Sequence, residues 1–381
     1  MLLLSWSSLK CISGVLVYGT IKSEIGITLN KTCTFRMFFA LADAYISSSY
    51  QKSYFDCNSL PGLTRKQLEI CKRNKFTMSI IFNELKNISE VCKEQFMNEK
   101  WNCPLNHHLG IMPSKTANKE SAYVHALFAG AVSHAVATAC AKGQIAECQC
   151  GDQPHGAAQD SDFVWAGCAD NVRYGNYFSR RFVDAAEKHK MDSKSLMHLH
   201  NNRVGRKVLA SSMYTNCRCH GVSGSCVTKT CYKKLPDLDK FARILKRKYE
   251  HAQQVTIMPD KEGLILKPIS RTERYINARL SSTPIPAFKY STNMQTPANK
   301  GELVFLDESP DYCMPDPKQD IRGTSGRECF SEDQCHELCC GRGWKVINKW
   351  KEENCNCRLV QKTFQVECNV CTKLEQRKYC R

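Results

Sequence analysis

Cysteine content constrains this chain more than any other feature of its sequence. Of 381 residues, 24 are cysteine. Cytosolic proteins are kept reduced, so this density predicts an oxidising compartment. Cys11 and Cys33 lie in an N-terminal leader, and the other 22 cysteines lie between Cys57 and Cys380. That even number allows every cysteine of the main part of the chain to be paired.

The spacing of the cysteines also divides the chain. Residues 57–231 hold 12 cysteines, residues 232–312 hold none, and residues 313–381 hold ten. We therefore predict four segments: a leader over 1–56, a helical N-terminal domain over 57–255, a linker or loops over 256–312, and a cysteine-rich C-terminal domain over 313–381. The last is too small to depend on core burial, so its bridges must hold it together.

Hydrophobic periodicity predicts several helices in the larger domain. Apolar residues recur at helical spacing from Leu68 to Cys92, Ser121–Cys140 is an Ala- and Val-rich segment typical of a buried helix, and Val172–Lys190 predicts a third helix. Leu238–Val255 is a basic amphipathic candidate that could lie on a membrane or bind glycan, although a solvated outer face is the simpler interpretation. Two short β-prone runs, Trp344–Ile347 and Thr363–Val366, mark the last domain.

Charge and the leader bear on location and partners. The net charge of +17 favours a polyanionic partner. For a secreted chain that partner is a sulfated glycan, and no aromatic or helix-turn-helix pattern indicates nucleic acid. Apolar stretches at Met1–Leu4 and Cys11–Gly19 suggest an irregular signal sequence, in which Val17 and Gly19 could flank the cleavage site. A second apolar patch, Met37–Ala42, offers Met37 as an alternative start. No run of about 18 apolar residues occurs, so we expect no membrane span.

The segment Cys217–Cys231 carries the most information about function. It reads CRCHGVSGSCVTKTC, with four cysteines placed symmetrically about a Gly/Ser tip. Pairing Cys219 with Cys226 and Cys217 with Cys231 gives nested rings, as a β-hairpin would produce. Such a ring closes about 15 residues and is worth roughly 3 kcal/mol in the chain-entropy model, so the hairpin needs little core beneath it.

The tip has three interpretations. It is a stapled turn, a nucleophile elbow, or a modification site that offers an exposed hydroxyl to a transferase. Gly221-Val-Ser223-Gly-Ser225 differs from the G-x-S-x-G elbow at its last position and does not lie between a strand and a helix. His220 is close to Ser223 in sequence, but this does not establish a catalytic dyad.

Metal and cofactor chemistry has little support in the sequence. Cys368–Cys371 is the single C-x-x-C pair, whereas a zinc ribbon needs two. Phosphate-loop and H-E-x-x-H motifs are absent from the sequence. We expect no metal, no cofactor and no enzymatic activity.

The run CHGVSGSC at residues 219–226 resembles the acylation hairpin of the Wnt family of secreted signalling glycolipoproteins. Other landmarks of that family appear in order along the chain, before and after this run, and the likeness covers about residues 57–381. They are Leu60-Pro-Gly-Leu, Lys66-Gln-Leu, Trp101-Asn-Cys, Trp165-Ala-Gly-Cys-Ala-Asp-Asn, His200-Asn-Asn-Arg-Val-Gly-Arg, Glu308-Ser-Pro-Asp-Tyr-Cys, Gly323-Thr-Ser-Gly-Arg-Glu-Cys and Cys339-Cys-Gly-Arg-Gly.

The resemblance implies a modification and a disulfide framework within an α+β fold. Ser223 would carry a palmitoleoyl group, a mono-unsaturated fatty acyl chain added by a membrane acyltransferase, with Ser225 as the near competitor. Besides the two hairpin bridges, the implied pairs are Cys57–Cys71, Cys92–Cys103, Cys140–Cys148, Cys150–Cys168, Cys313–Cys340, Cys329–Cys335, Cys339–Cys380, Cys355–Cys371 and Cys357–Cys368.

The resemblance also implies partners outside the cell. The acyl chain would enter a groove on the cysteine-rich domain of a Frizzled receptor, and the tip around it would contact the receptor through His220, Gly221, Val222 and Gly224. A second contact would come from the loop between Cys357 and Cys368, with Val360 and Phe364 as candidates, although Phe364 could instead belong to a small core. This chain has Gln361-Lys-Thr363 where the family usually has adjacent cysteines, and Tyr232 where Trp is usual.

Further implied partners are a low-density-lipoprotein-receptor-related co-receptor, a lipid-shielding carrier and heparan sulfate of the extracellular matrix. Asn87 and Asn30 begin N-glycosylation triplets. Two rival functions stay open on the residues alone. They are a secreted serine hydrolase that uses Ser223 and a matrix-bound glycan-binding protein without a receptor.

Overall fold

The computed structural model of the protein describes residues 55–60, 62–105, 116–157, 163–188, 190, 192–260, 263–269, 298–317, 321–360 and 365–381. Its helices are α1 (Arg65–Arg73), α2 (Lys75–Gln95), α3 (Lys119–Ala141), α4 (Val172–Phe182), α5 (Ser193–Ser211), α6 (Leu238–Glu250) and α7 (Glu332–Leu338). Its strands are β1 (Gly156–Ala157), β2 (Phe163–Trp165), β3 (Tyr214–Cys219), β4 (Lys229–Lys234), β5 (Gln253–Asp260), β6 (Gly263–Pro268), β7 (Val304–Phe305), β8 (Glu328–Cys329), β9 (Trp344–Val360) and β10 (Gln365–Cys380).

Helix α3 is the centre of the larger core. Its alanines, valines and small polar residues are buried on all sides, and α2, α4, α5 and α6 pack around it. Small side chains let the neighbouring backbones come close. A Cβ atom at Gly205 of α5 would collide with the carbonyl group of Ala126, so this crossing requires glycine. The predicted buried helix over Ser121–Cys140 is therefore present, with two more residues at its start and one at its end.

Helix α3 meets the length and composition of a membrane span, although it contains no unbroken run of about 18 apolar residues. Interspersed Ser, Thr and His break the apolar run but lower the mean hydropathy only to 1.4. The window is 83% buried within the protein, where the other helices cover it. Its apolar character is explained by this burial.

The N-terminal helical segment is divided in two. Helix α1 begins at a capping box formed by Thr64 and Gln67, and it ends at Asn74, which also begins α2. Helix α2 buries Met78, Ile81 and Leu85 at helical spacing against the core.

Two helices are shorter than predicted. Helix α4 ends at Phe182 and not at Lys190, because a 3-10 turn over Asp184–Ala186 directs Asp184 inward to an ion pair. Helix α6 ends at Glu250, and the chain continues as β5. The amphipathic stripe of α6 is a core face, since Phe241 and Leu245 are fully buried.

Part of the stretch that we predicted as a linker forms a sheet of order β6-β5-β7. Strand β5 pairs antiparallel with β6 and parallel with β7. Val255, Leu266 and Val304 are buried there, packed with Ala117 and Met197. The proline and serine content of this stretch indicated loops. Part of it forms strands instead, because these apolar residues are buried in the cluster. The predicted domain boundaries remain predictions.

The C-terminal segment is a sheet of order β8-β10-β9 with α7 on it. Strands β9 and β10 form one long antiparallel ribbon where the sequence indicated only two short β-prone runs, and α7 was not predicted. Arg327 joins this segment to the end of α2. Its guanidinium donates to the backbone oxygens of Met97, Glu99 and Lys100 over 2.7–2.9 Å.

A buried polar network ties α5 to the 3-10 turn. Arg206 donates through two nitrogens to the two carboxylate oxygens of Asp184, at 3.0 and 2.9 Å, and Asn202 donates to the same carboxylate at 3.1 Å. Asn201 bridges the α5 backbone to Val304 of β7. These contacts explain the polar residues of the segment His200–Arg206, which lies on a helix in the core.

We expect Asp184→Asn to lower the free energy of unfolding by about 3–5 kcal/mol, because it leaves the Arg206 cation buried without its counter-ion. Chemical denaturation measures this change. Arg173→Met is the control, since Arg173 and Asp152 are 3.7 Å apart and almost fully exposed. Exposed pairs contribute little. Equal effects of the two variants would contradict the role of the buried pair.

A second cluster contains two stacked histidines, of which His198 is buried and His125 is partly buried. The rings of His125 and His198 are 3.8 Å apart and nearly parallel, and Nδ1 of His198 lies 3.4 Å from a Glu187 oxygen. Burial lowers the pKa of His125 to about 3. Burial alone would raise the pKa of Glu187, but the contact with His198 outweighs it and holds that pKa at about 2.

The stability of the protein should fall on acidification below about pH 6.5, where His125 takes up a proton in the unfolded chain but not in the folded one. The contribution reaches about 1.4 kcal/mol per pH unit. Between pH 6.5 and 4.5, above the range in which Glu187 titrates, the dependence of the unfolding free energy on pH should be less steep in His125→Gln. The difference is the contribution of the one proton that His125 binds only in the unfolded chain. Denaturation at several pH values tests it, with the exposed His251→Gln as control. An unchanged slope in His125→Gln would contradict the assignment.

Candidate functional site

The segment singled out in the sequence is a two-stranded hairpin. Strands β3 and β4 pair antiparallel from Tyr214 opposite Lys234 to Cys219 opposite Lys229. Cys217 lies directly opposite Cys231 and is bonded to it, with their Cα atoms 4.1 Å apart. A second bridge, Cys219–Cys226, closes a ring of the tip itself, at a Cα separation of 4.5 Å. The two rings are nested.

Inside the smaller ring the chain makes a tight turn. The amide of Gly221 donates to the carbonyl of Ser225 at 2.8 Å, and the amides of Gly224 and Ser225 donate back to Gly221 and Val222. Ser223 has φ 56° and ψ 26°, in the left-handed region, and Gly224 follows at φ 78°. A Cβ atom at Gly221 would collide with the hydroxyl and carbonyl of Ser225, so only glycine fits there.

Ser223 is exposed at this tip. Val222 and Val227, on either side of it, are 91% and 83% exposed. Among the residues that the structure describes, no side chain hydrogen-bonds the Ser223 hydroxyl. The ring of His220 instead contacts the hydroxyl of Thr230, at 2.7 Å from Nε2. The arrangement presents an unshielded alcohol on a rigid support, and within the described ranges no basic side chain contacts it as the base of a hydrolase nucleophile would.

The base of the hairpin is fixed to the helical core. Strand β4 pairs in parallel with β2, placing Trp165 opposite Cys231. A carboxylate oxygen of Asp170 accepts from the amide of Leu235 at 2.7 Å, and the Asp170 amide donates to the carbonyl of Lys233 at 3.1 Å. Burial raises the pKa of the Asp170 carboxyl group. Tyr232 packs against Gly167, and its hydroxyl accepts from Asn216 at 2.9 Å.

These supporting residues were not predicted as part of the site. The sequence Trp165–Asn171 was noted only for its family resemblance. Its physical signal is weak, because β2 is three residues long and pairs with a strand more than sixty residues later. In the structure, Asp170 binds the backbone amide of Leu235 after β4, and Trp165 lies opposite Cys231 of β4.

The chain is similar in sequence to known proteins. The sequence profile of the Wnt family matches residues 59–381. The chain belongs to the Wnt family. Over 336 residues it is 40% identical to Protein mom-2 of Caenorhabditis elegans, a match that covers 85% of this chain and 88% of that protein.

A solved structure is also similar. It is human WLS in complex with WNT8A, and its matching chain is 29% identical to ours with a TM-score of 0.53, over 80% of this chain and 93% of that one. The α+β, disulfide-rich fold predicted from the sequence is confirmed, and so is the resemblance to the Wnt family. Wnt family members are signalling ligands and not enzymes, so this chain is a Wnt signalling ligand.

The remaining cysteines that the Wnt resemblance singles out are also bonded in the structure, in the pairs that the resemblance implies. These pairs are Cys57–Cys71, Cys92–Cys103, Cys140–Cys148, Cys150–Cys168, Cys313–Cys340, Cys329–Cys335, Cys339–Cys380, Cys355–Cys371 and Cys357–Cys368. Cys329, Cys339 and Cys380 cluster as metal ligands would. Each of the three is in a disulfide, so none offers a thiolate.

Other predicted Wnt site residues lie elsewhere. Asn87 is exposed on the outer face of α2, while Ser89 of the same triplet is buried and donates to the carbonyl of Leu105. Val360 ends β9. Phe364, Asn30, the segment Gln361–Thr363 and the leader cysteines lie outside the described residues.

We expect Gly221→Ala to open the tip, because the new methyl group displaces Ser225 and breaks the Gly221–Ser225 hydrogen bond. Hydrogen exchange of the 217–231 peptide should accelerate at least tenfold near the tip. Gly224→Asn is the matched control. It has a positive φ that Asn tolerates and no atom within 4 Å of its Cβ position. Unchanged protection in Gly221→Ala would refute this account of the turn.

Proposed function

We propose that this Wnt ligand is acylated on Ser223 and delivers its acyl chain to the cysteine-rich domain of a Frizzled receptor. The observation that carries the proposal is the tip geometry. Ser223 is exposed between Val222 and Gly224 on a doubly bridged hairpin, with no side-chain partner among the described residues. Ser225 is the less suitable acceptor, since its carbonyl and hydroxyl lie against Gly221 inside the turn.

The acyl chain would supply much of the binding energy. Burying hydrocarbon contributes about 0.8 kcal/mol per methylene, so a long chain offers on the order of 10 kcal/mol. A rigid hairpin would strengthen binding further, because little conformational entropy is lost when the tip enters a groove. The residues His220, Gly221, Val222 and Gly224 would line the receptor contact around the acyl chain, with exposed Val222 as the main apolar contributor.

The second receptor contact would come from the end of the β9–β10 ribbon. Leu359 and Val366 lie opposite each other there and are 59% and 64% exposed. They add to Val360 and Phe364, the candidates taken from the sequence. The bridges Cys355–Cys371 and Cys357–Cys368 would hold this end of the ribbon in shape.

Other partners follow from chemistry and family membership. A chain with an exposed acyl group needs a lipid-shielding carrier during secretion, and the similar solved chain is in complex with WLS. A low-density-lipoprotein-receptor-related co-receptor would complete the signalling complex outside the cell. The net charge of +17 would hold the ligand near heparan sulfate. Exposed Asn87 would carry an N-linked glycan, and Asn30 is the second candidate.

Mass spectrometry of the secreted protein tests the acylation directly. The 217–231 peptide of the wild type should carry one mono-unsaturated acyl mass, which Ser223→Ala removes and Ser225→Ala retains. Affinity for a Frizzled cysteine-rich domain should fall by at least a hundredfold in Ser223→Ala, since the acyl contribution is lost. A bare serine in the folded, disulfide-bonded wild type would refute the proposal.

Labelling of wild-type Ser223 by a serine-reactive probe, with turnover lost in Ser223→Ala, would favour the rival hydrolase function. Salt-sensitive heparin retention by a protein without lipid and without receptor affinity would instead favour the matrix-binding function. Both measurements use the same secreted preparations, so the three functions are distinguished side by side.

A further inference from the structure

The β9–β10 ribbon has one face on which lysine predominates. Side chains alternate between the two faces of a strand, and the register of the ribbon assigns four exposed lysines to the same face. They are Lys345, Lys349 and Lys351 of β9 and Lys373 of β10. We call these four residues the lysine face. From Lys345 to Lys351 it extends for about 20 Å at the usual rise per residue.

Acidic residues offset only part of this charge. Two of them, Glu353 and Glu375, lie on the same face of the ribbon. The Glu375 carboxylate accepts from Arg377 at 2.9 Å, and Glu328 of β8 lies 3.5 Å from the same guanidinium, so both carboxylates pair with Arg377. Glu353 is exposed at the end of the face. Within the described ranges, none of the four lysines forms an ion pair, and the face keeps an excess of positive charge.

Two of the lysines lie directly opposite each other. Lys351 and Lys373 are register partners on neighbouring strands, which are about 5 Å apart. Like charges in directly opposite positions destabilise a sheet. The disulfide Cys355–Cys371 joins the two strands just beyond this pair, so the strands cannot separate there. A bound anion would relieve the repulsion between the two ammonium groups.

The outer face of α6 is the other basic surface that the sequence singled out. Lys240, Arg243 and Arg247 are exposed there and line one shallow depression. These three cations span about 10 Å of helix, half the length of the lysine face. Arg243 also pairs with Asp239 at 2.7 Å. The lysine face is therefore longer than this surface and has more unpaired charge.

We propose that the lysine face binds a sulfated glycan chain. Such a chain carries sulfate groups along its length, so it can meet cations that are spread over about 20 Å. Every cysteine that the structure describes is in a disulfide, which places the chain in an oxidising compartment and away from nucleic acid. A bilayer fits less well, because the exposed Val346 and Trp350 lie on the opposite face of the ribbon and would not be buried.

The inference rests on the proposed function, since it gives the heparan sulfate partner named there a binding surface. The second receptor contact proposed for this ligand, Leu359 with Val366, lies about 25 Å further along the ribbon than Lys351. A glycan on the lysine face would leave that contact uncovered. The glycan would therefore retain the ligand outside the cell without blocking the receptor.

Binding to immobilised heparan sulfate at physiological ionic strength tests the inference in the full-length protein. All variants are made in the Ser223→Ala background, so that no acyl chain contributes. Lys349→Gln/Lys351→Gln/Lys373→Gln should weaken the affinity at least tenfold and should elute from a heparan sulfate column at lower salt. Lys351→Arg/Lys373→Arg keeps the charge and should keep the affinity. Hyaluronan, which has carboxylates but no sulfate, should compete at least tenfold less well than heparan sulfate.

The matched control is Lys240→Gln/Arg243→Gln/Arg247→Gln, which removes the same charge from the rival surface on α6. It should change the affinity less than threefold. Thermal midpoints report any loss of folding. The midpoint of the lysine-face variant should be unchanged or higher, because the repulsion between Lys351 and Lys373 is removed. A loss of affinity therefore cannot be attributed to unfolding.

Equal weakening by the two triple variants would overturn the inference, because net charge and not one face would then determine binding. Stronger weakening by the α6 variant would place the glycan on that helix and would also overturn it. Unchanged affinity in the lysine-face variant would overturn the surface but leave heparan sulfate as a partner. If the parent protein does not bind heparan sulfate, both the surface and that partner are wrong, whereas acylation and receptor binding are tested separately.

Discussion

Close packing around α3 is the constraint on which the position of the hairpin depends. Its small side chains let α5 approach until Gly205 meets the backbone of Ala126. The carbonyl of Ala137, near the end of α3, accepts from the amide of Asn171. That contact fixes Asp170, which holds the chain leaving β4 through Leu235. Ser223 is thus placed by a succession of hydrogen bonds that begins in the core.

The hairpin itself depends on this core for position and not for shape. Its tip has no buried residue between Val222 and Gly224, and its conformation comes from backbone hydrogen bonds inside a ring closed by Cys219 and Cys226. Two different sources of order therefore meet at one site. Covalent closure determines the turn, and packing determines where the turn is presented.

Sequence reasoning succeeded where signals were local. The buried helix α3, the amphipathic α6 and the hairpin Cys217–Cys231 all follow from residue spacing within one element. It failed where distant segments decide the structure. The β5–β6–β7 sheet was taken for a linker because its burial depends on Met197 and Ala117, far away in sequence. The predicted end of α4 was wrong because Asp184 turns inward to form an ion pair with Arg206. The hairpin base was missed for the same reason.

The backbone conformation at Ser223 limits which hydroxyl-bearing residue can occupy this position. A left-handed φ of 56° is tolerated by serine at modest cost. A β-branched side chain in that region is a genuine steric outlier, so threonine would strain the turn or force it open. Both residues carry a hydroxyl, and an enzyme that recognises only the oxygen could accept either one. The backbone conformation at this position therefore favours serine over threonine, whatever the specificity of such an enzyme.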